Sequence, residues 1–150
     1  MRRWLAVLAS VLSLLGVTAG GACAASKAKP APEIEIVVDI SNQSMTVDVD
    51  GWPYGRWKVS TAREGYHTPR GAWRPFQLKE MHYSKKYDNS PMPHSIFFLG
   101  GYAIHATYDI KHLGKPASHG CVRLHPRNAE RLYKLVERHG LSTTRISIID

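Results

Sequence analysis

Apolar and polar positions alternate along the chain from Ile34 onward. Ile34, Ile36, Val38 and Ile40 fall on one side of an extended segment, and Glu35, Val37 and Asp39 on the other. Period-two alternation predicts a half-buried strand. Ser41-Asn42-Gln43 supplies turn residues, and Met45, Val47 and Val49 then alternate with Thr46, Asp48 and Asp50. Asp50-Gly51 is a hairpin signal, so Trp52 to Thr61 reads as a third strand in a meander. From Ala62 to Pro93 the chain is rich in Gly, Pro, His and aromatics, which predicts long loops and short strands, one near Ala72–Leu78. Ile96–Leu99 and Tyr102–His105 flank Gly100-Gly101 as paired strands. Helical period occurs clearly once, at Ala129, Leu132, Tyr133 and Val136, with Pro126 suited to the first turn and Gly140 to the stop. Arg145–Ile149 reads as a closing strand. The pattern predicts an α+β fold, predominantly β, with one clear helix in the C-terminal half.

The first residues follow a different pattern. Arg2 and Arg3 precede an apolar run from Leu5 to Val17, and small residues follow from Ala19 to Ala25. This is the layout of a secretory signal peptide, and the run is shorter than the ~20 residues of a membrane-spanning helix. Ala22 and Ala24 suit cleavage after Ala24. Rival readings are a lipoprotein signal with Cys23 as the lipidated residue, opposed by Gly20 three positions before it, and an uncleaved anchor. The expected organisation is a signal peptide over 1–24, a Lys- and Pro-bearing linker over 25–33 and one domain over 34–150. The expected location is the periplasm or cell envelope, with no transmembrane span after signal removal.

The 150 residues carry a net charge of +8, which signal cleavage lowers by Arg2 and Arg3. A basic exported domain suits a polyanionic setting, although scattered surface charge also serves solubility. The basic residues form no helix face or aromatic-interleaved stripe, which argues against nucleic acid. Cleavage would also remove Cys23 and leave Cys121 as a single thiol outside the cytosol, where cysteines usually pair. A reactive thiol is one standard explanation.

Candidate chemistry concentrates in Ser118-His119-Gly120-Cys121-Val122-Arg123-Leu124. A thiol attacks a carbonyl as thiolate and needs a base or positive field nearby. In an extended segment His119, Cys121 and Arg123 share one face. Gly120 allows a substrate backbone to approach, and Arg123 suits a substrate carboxylate. His105, ending the run Tyr102-Ala103-Ile104, has an unperturbed pKa of about 6.5, suited to a general base.

These residues resemble the signature of the L,D-transpeptidase catalytic domain, also called the YkuD domain. Val59-Ser60-Thr61-Ala62 is similar to its V-S-T-G element, with Ala62 in place of Gly, and Thr68-Pro69-Arg70-Gly71 to its T-P-x-G element. Ser90-Pro91-Met92-Pro93 and the segment from Phe97 to His105 also resemble the approach to the family's first histidine. The resemblance covers about Ile34 to Asp150. It implies curved mixed β-sheets, with the cysteine and histidine in a groove under a mobile flap from the middle segment.

It further implies acyl transfer on peptidoglycan stem peptides. Cys121 would be the nucleophile and His105 the proton donor and acceptor, oriented by a backbone carbonyl rather than by an Asp. His119 would support the thiolate or the developing charge. Arg123, Ser118 and Gly120 would contact substrate, and the N–H groups of Gly120 and Cys121 would hold the oxyanion. No metal or cofactor enters this chemistry. An amine acceptor gives a 3→3 cross-link, anchoring of a wall protein or D-amino-acid exchange. Water as acceptor gives the alternative, an L,D-carboxypeptidase or peptide-releasing hydrolase. A non-catalytic wall-binding module is a third reading.

Several blander readings compete. His105, His119 and Cys121 are zinc-ligand types, with His112 or Asp109 as a fourth, but their spacing matches no standard zinc module. Cys121 alone could be a buried inert thiol, and Arg123 an ion-pair partner. Ser118 suits backbone shaping better than attack. His94 and Tyr83 are candidates to line a groove, and Trp52, Trp57 and Trp73 to pack in the core or at its rim.

Overall fold

The computed structural model describes residues 33–150, so the expected signal peptide and most of the linker lie outside the described residues. The first three strands are β1 (Ile34–Asp39), β2 (Ser44–Val49) and β3 (Trp52–Ser60). They form the expected meander. Ile34, Ile36, Val38, Met45 and Val47 are buried, and Asp50 and Gly51 both take positive φ at the β2–β3 turn, as a tight hairpin turn requires.

The later elements are β4 (Gly71–Trp73), β5 (Gln77–Ser84), β6 (Ser90–Leu99), β7 (Tyr102–Ala106), β8 (Val122–Leu124), the helix α1 (Pro126–His139) and β9 (Thr144–Ile149). All nine strands join in one sheet in the order β4-β9-β1-β2-β3-β8-β7-β6-β5. The β1–β9 and β7–β8 pairs are parallel and the others antiparallel, so the sheet is mixed. β3 links its two halves: Trp52 to Lys58 pair with β2, whereas Val59 and Ser60 pair with β8. The curled sheet packs α1 against β6 and β7. Ala129, Leu132, Leu135 and Val136 of α1 enter a core shared with β1, β2, β3, β6, β7, β8 and β9. Tyr133 is only partly buried.

The middle of the chain departs from expectation. Residues 77–99 form a long hairpin of β5 and β6 rather than loops. Pro91 and Pro93 obscured the strand. They lie in the part of β6 that has β5 beside it but no β7, since pairing with β7 begins at Ile96. A strand proline is tolerated at such an open edge. Trp57 and Trp73 pack against the core, but Trp52 is 78% exposed at the tip of the β2–β3 hairpin.

Candidate active site

His105 on β7 stands opposite Arg123 on β8. Paired residues share a face, as do alternate residues along a strand. Cys121, two residues before Arg123, therefore falls on the same face together with Ala103. The opposite face carries Ile104, Ala106, Val122 and Leu124, all in the main core. Cys121 instead packs against a smaller cluster of Met92, Phe97 and Ala103. One row of side chains builds the core, and the next presents a thiol, an imidazole and a guanidinium.

That row forms one wall of a cavity of about 520 Å³. His119, Thr107 and Asp109 continue the wall, and the β5–β6 hairpin supplies His82, Tyr87, Pro91 and Met92 opposite. Asp109 is the acidic residue of the lining, and Lys85, Lys86 and Arg123 are its fixed cations. The Asp109 carboxylate accepts from His112 at 2.6 Å, which holds its pKa below the ordinary value, with Arg123 adding to the effect.

His105 is 6% exposed, and its Nδ1 lies 2.7 Å from the carbonyl oxygen of Ala106. A carbonyl only accepts, so Nδ1 carries the proton and Nε2 keeps its lone pair. Burial pushes the His105 pKa down to about 4; the Ala106 hydrogen bond pulls it up, and Arg123 and His82 push it further down. The imidazole is therefore neutral at pH 7, well below the sequence-based value near 6.5. Cys121 is a free thiol, with Sγ 3.8 Å from the carbonyl oxygen of Gly101. Burial raises its pKa above 9.0, opposed by an Ala103 backbone hydrogen bond and by Arg123. The resting pair is neutral thiol and neutral imidazole, not thiolate and imidazolium.

Residues 118–121 are a turn rather than an extended segment. Ser118 Oγ accepts from the Gly120 N–H at 2.9 Å and donates to the Cys121 carbonyl at 2.6 Å. Gly120 takes φ +131°. This places the His119 ring against Tyr66 and Tyr87, although His119 and Cys121 still line the same cavity. The expectation of one extended face from His119 to Arg123 therefore holds only from Cys121 onward. Burial lowers the pKa of His119, helped by Arg63, Arg123 and Lys86. The Gly120 N–H is engaged by Ser118, so the Cys121 N–H is the donor left from the expected oxyanion pair. A Cβ at Gly120 would sit 2.7 Å from the His67 carbonyl oxygen and 2.7 Å from Tyr102 Cε1. The close approach at this glycine is made by the protein's own atoms.

Three buried polar residues hold the turn, and their role was not legible in the sequence. Thr68 Oγ1 donates to the Gly120 carbonyl at 2.8 Å and accepts from Ala62 N–H at 3.0 Å. The Thr61 carbonyl accepts from the N–H groups of Ala117 at 2.9 Å and Ser118 at 2.8 Å. Gln43 in turn grips Thr61: its Oε1 accepts from Thr61 N–H at 2.9 Å and its Nε2 donates to Thr61 Oγ1 at 2.6 Å. Gln43 is 4% exposed with φ +47°. In the sequence it ends a polar triplet that reads as an ordinary turn, and nothing signals its burial. Thr61 and Thr68 lie within the family-like elements, which signalled their importance but not their function.

Arg123 Nη1 donates to the Ala117 carbonyl at 3.4 Å and its guanidinium reaches the cavity. Neither His94 nor Tyr83 lines it: His94 packs edge-on against Tyr133 at 5.6 Å, and Tyr83 is exposed. Among the described residues no three His, Cys, Asp or Glu side chains converge as metal ligands. Among them, too, no helix is long and apolar enough to cross a membrane.

Residues 33–148 match the family described as the L,D-transpeptidase catalytic domain. No curated protein matches the chain closely enough to count as a relative. Solved structures do match. An L,D-transpeptidase from Stackebrandtia nassauensis is 30% identical, with a TM-score of 0.69 over 83% of this chain and 58% of the other. One from Mycobacterium smegmatis is 22% identical, with a TM-score of 0.70 over 79% and 59%. L,D-transpeptidase 3 from Mycobacterium tuberculosis, in complex with a faropenem-derived adduct, is 20% identical, with a TM-score of 0.69 over 79% and 61%. The two lower identities speak to fold alone. The chain spans about three fifths of the length of each of these proteins.

Proposed function

The chain belongs to the L,D-transpeptidase catalytic domain family, and we propose that it is an exported cysteine acyltransferase of peptidoglycan stem peptides. In this reading residues 1–24 direct export, 25–33 are a linker and 34–150 are the catalytic domain, working in the periplasm or cell envelope. The observation that carries the chemistry is the shared face of β7 and β8. It lines one cavity with the Cys121 thiol and with His105, whose Nδ1 proton is fixed on the Ala106 carbonyl.

Cys121 Sγ attacks the carbonyl that joins the third stem residue to D-alanine. Because both groups rest neutral, His105 Nε2 takes the thiol proton as the S–C bond forms, acting as a general base. The same nitrogen then gives that proton to the departing amine of D-alanine, leaving a thioester. An amine of a second stem, or of a wall protein, attacks the thioester and returns its surplus proton through His105 to sulfur. The Cys121 N–H supports the developing oxyanion, and Arg123 holds a stem carboxylate. Ser118 and Gly120 contribute by shaping the turn, and His119 walls the groove beside the thiol. The chemistry needs no metal or cofactor.

The test is incubation of purified protein with disaccharide-tetrapeptide, read by mass spectrometry. Release of D-alanine with a cross-linked dimer supports transfer, and tripeptide without dimer or exchange product points to hydrolysis. Cys121→Ala abolishes both in an enzyme and leaves binding intact in a wall-binding module. Absence of D-alanine release and of a Cys121 thioester would sink the proposal.

A further inference from the structure

A layered stack of side chains joins the hairpin to the nucleophile turn. The His119 ring lies on Tyr87, with centroids 4.3 Å apart and planes 12° apart. Tyr66 meets His119 edge-on at 4.6 Å and 71°. Cations cap both tyrosines: Lys86 lies 5.4 Å from the Tyr87 centroid, and Arg63 lies 4.9 Å from that of Tyr66. Three segments meet here. Tyr87 and Lys86 belong to the β5–β6 turn, beyond the last ladder pair at Ser84 and Ser90. His119 stands two residues before Cys121. Arg63 N–H donates to the Ser118 carbonyl at 3.0 Å, so Arg63 and Tyr66 follow a point tied to the nucleophile turn.

The ladder alone does not fix this arrangement. β5 is an edge strand, and the turn at Lys85 to Asn89 projects past its pairing with β6. The hairpin tip meets the nucleophile turn through the Tyr87–His119 stack. Tyr87, Pro91, Met92 and Phe97 give the cavity an apolar lining near Cys121. Closing an active site with such surface excludes water from a reactive intermediate.

We propose that Tyr87 is a positioning residue that latches the hairpin onto His119 and thereby sets the acyl acceptor, keeping water from the Cys121 thioester until an amine takes the acyl group. The inference rests on the thioester reading above. Water attack breaks the C–S bond, leaves a carboxylic acid and returns a proton to sulfur. Amine attack breaks the same bond, leaves an amide and returns a proton to sulfur. The two differ only in the nucleophile admitted, which is what a roof over the thioester controls.

The experiment compares wild type, Tyr87→Phe and Tyr87→Ala on disaccharide-tetrapeptide with a D-amino acid as added amine. It reads the ratio of exchange product to tripeptide at equal D-alanine release, and the lifetime of the acyl-enzyme by intact mass. Tyr87→Phe keeps the ring and holds the wild-type ratio. Tyr87→Ala shifts the ratio several-fold toward tripeptide and shortens the acyl-enzyme lifetime. The tip is an exposed turn, and circular dichroism confirms folding; Tyr87→Ser serves if the alanine variant is unstable. An unchanged ratio and lifetime in Tyr87→Ala overturns the latch, as does a wild type that only hydrolyses. Absence of any thioester in wild type overturns the underlying reading instead, so the two failures are distinct.

Discussion

His105 and Arg123 face each other as register partners across the parallel ladder of β7 and β8. An imidazole and a guanidinium thus share one row on the cavity wall. Burial is the main reason that His105 stays neutral, and Arg123 reinforces it, because a proton on the imidazole would face a fixed positive charge. The Ala106 carbonyl opposes this by stabilising the Nδ1 proton. The outcome is an imidazole that stays neutral well below pH 7, with its one proton on Nδ1 and the Nε2 lone pair free.

Stability should therefore depend on pH through this residue. Unfolded, His105 protonates near its usual value of about 6.5; folded, it protonates at about 4. Between those values the unfolded state holds more protons, so stability is full above about pH 6.5 and falls as pH drops toward about 4, by up to about 3 kcal/mol. Urea midpoints for wild type and His105→Asn across that window give the measurement. The difference in slope between them should be positive for wild type; parallel curves would contradict the assignment.

Cys121 should behave as a resting thiol. Its raised pKa means that alkylation by iodoacetamide stays slow at neutral pH and climbs only at a higher pH than for an ordinary cysteine. An inflection between pH 4 and 7 would instead indicate a preformed ion pair. His105→Ala should slow D-alanine release by about 10²- to 10⁴-fold, the usual range for a general base.

Gln43→Leu should reach the turn that carries Cys121 through Thr61. Loss of its hydrogen bonds costs about 1–3 kcal/mol of stability. In the protein that remains folded, kcat should fall at least about ten-fold with KM little changed, because the turn carrying Cys121 is no longer pinned. A purely structural role would lower the melting temperature and leave kcat per folded molecule untouched.

Gly120→Ala should be harsher than its size suggests. The new Cβ meets a backbone oxygen and a ring at 2.7 Å, at φ +131°. Relief requires both the segment at His67 and the Tyr102 ring to move, or the turn itself to shift, at a cost of about 1–3 kcal/mol. Chemical denaturation with a parallel activity assay tests this. Wild-type activity in the alanine variant would show that the turn tolerates rearrangement.

If Cys121 is the nucleophile as proposed, a carbapenem, which acylates nucleophiles through its strained lactam, should add its mass to it. Intact-mass analysis of wild type and Cys121→Ala decides this. An active protein whose mass a carbapenem leaves unchanged would falsify the nucleophile assignment.

The strands that obey a simple period were legible in the sequence. Ile34 to Val49 alternates because one face of β1 and β2 enters the core, and α1 shows its stripe for the same reason. The β5–β6 hairpin was hidden because Pro91 and Pro93 argue against a strand unless its open edge is known. Cys121 and His105 could be singled out from residue type and order. The protonation state of His105 could not, because its fall to about 4 comes from burial, which only the folded sheet creates. His119 stands two residues before Cys121 in sequence, yet its ring contacts are with Tyr66 and Tyr87, separated from it by 53 and 32 positions. Gln43 was invisible for a similar reason, since its partner Thr61 lies 18 residues away.

The position of β9 governs when this domain can fold. This strand is the last of the described strands in sequence, yet it inserts between β1 and β4. A nascent chain stopped before Thr144 exposes the outer edge of β1, rich in isoleucine and valine, and leaves β4 with no partner in the sheet. Open edges of that kind recruit other chains and invite aggregation. Long-range parallel pairing is also slow to form. Completion of the sheet therefore needs β9, and a chaperone that shields β1 until then would raise the yield of folded protein.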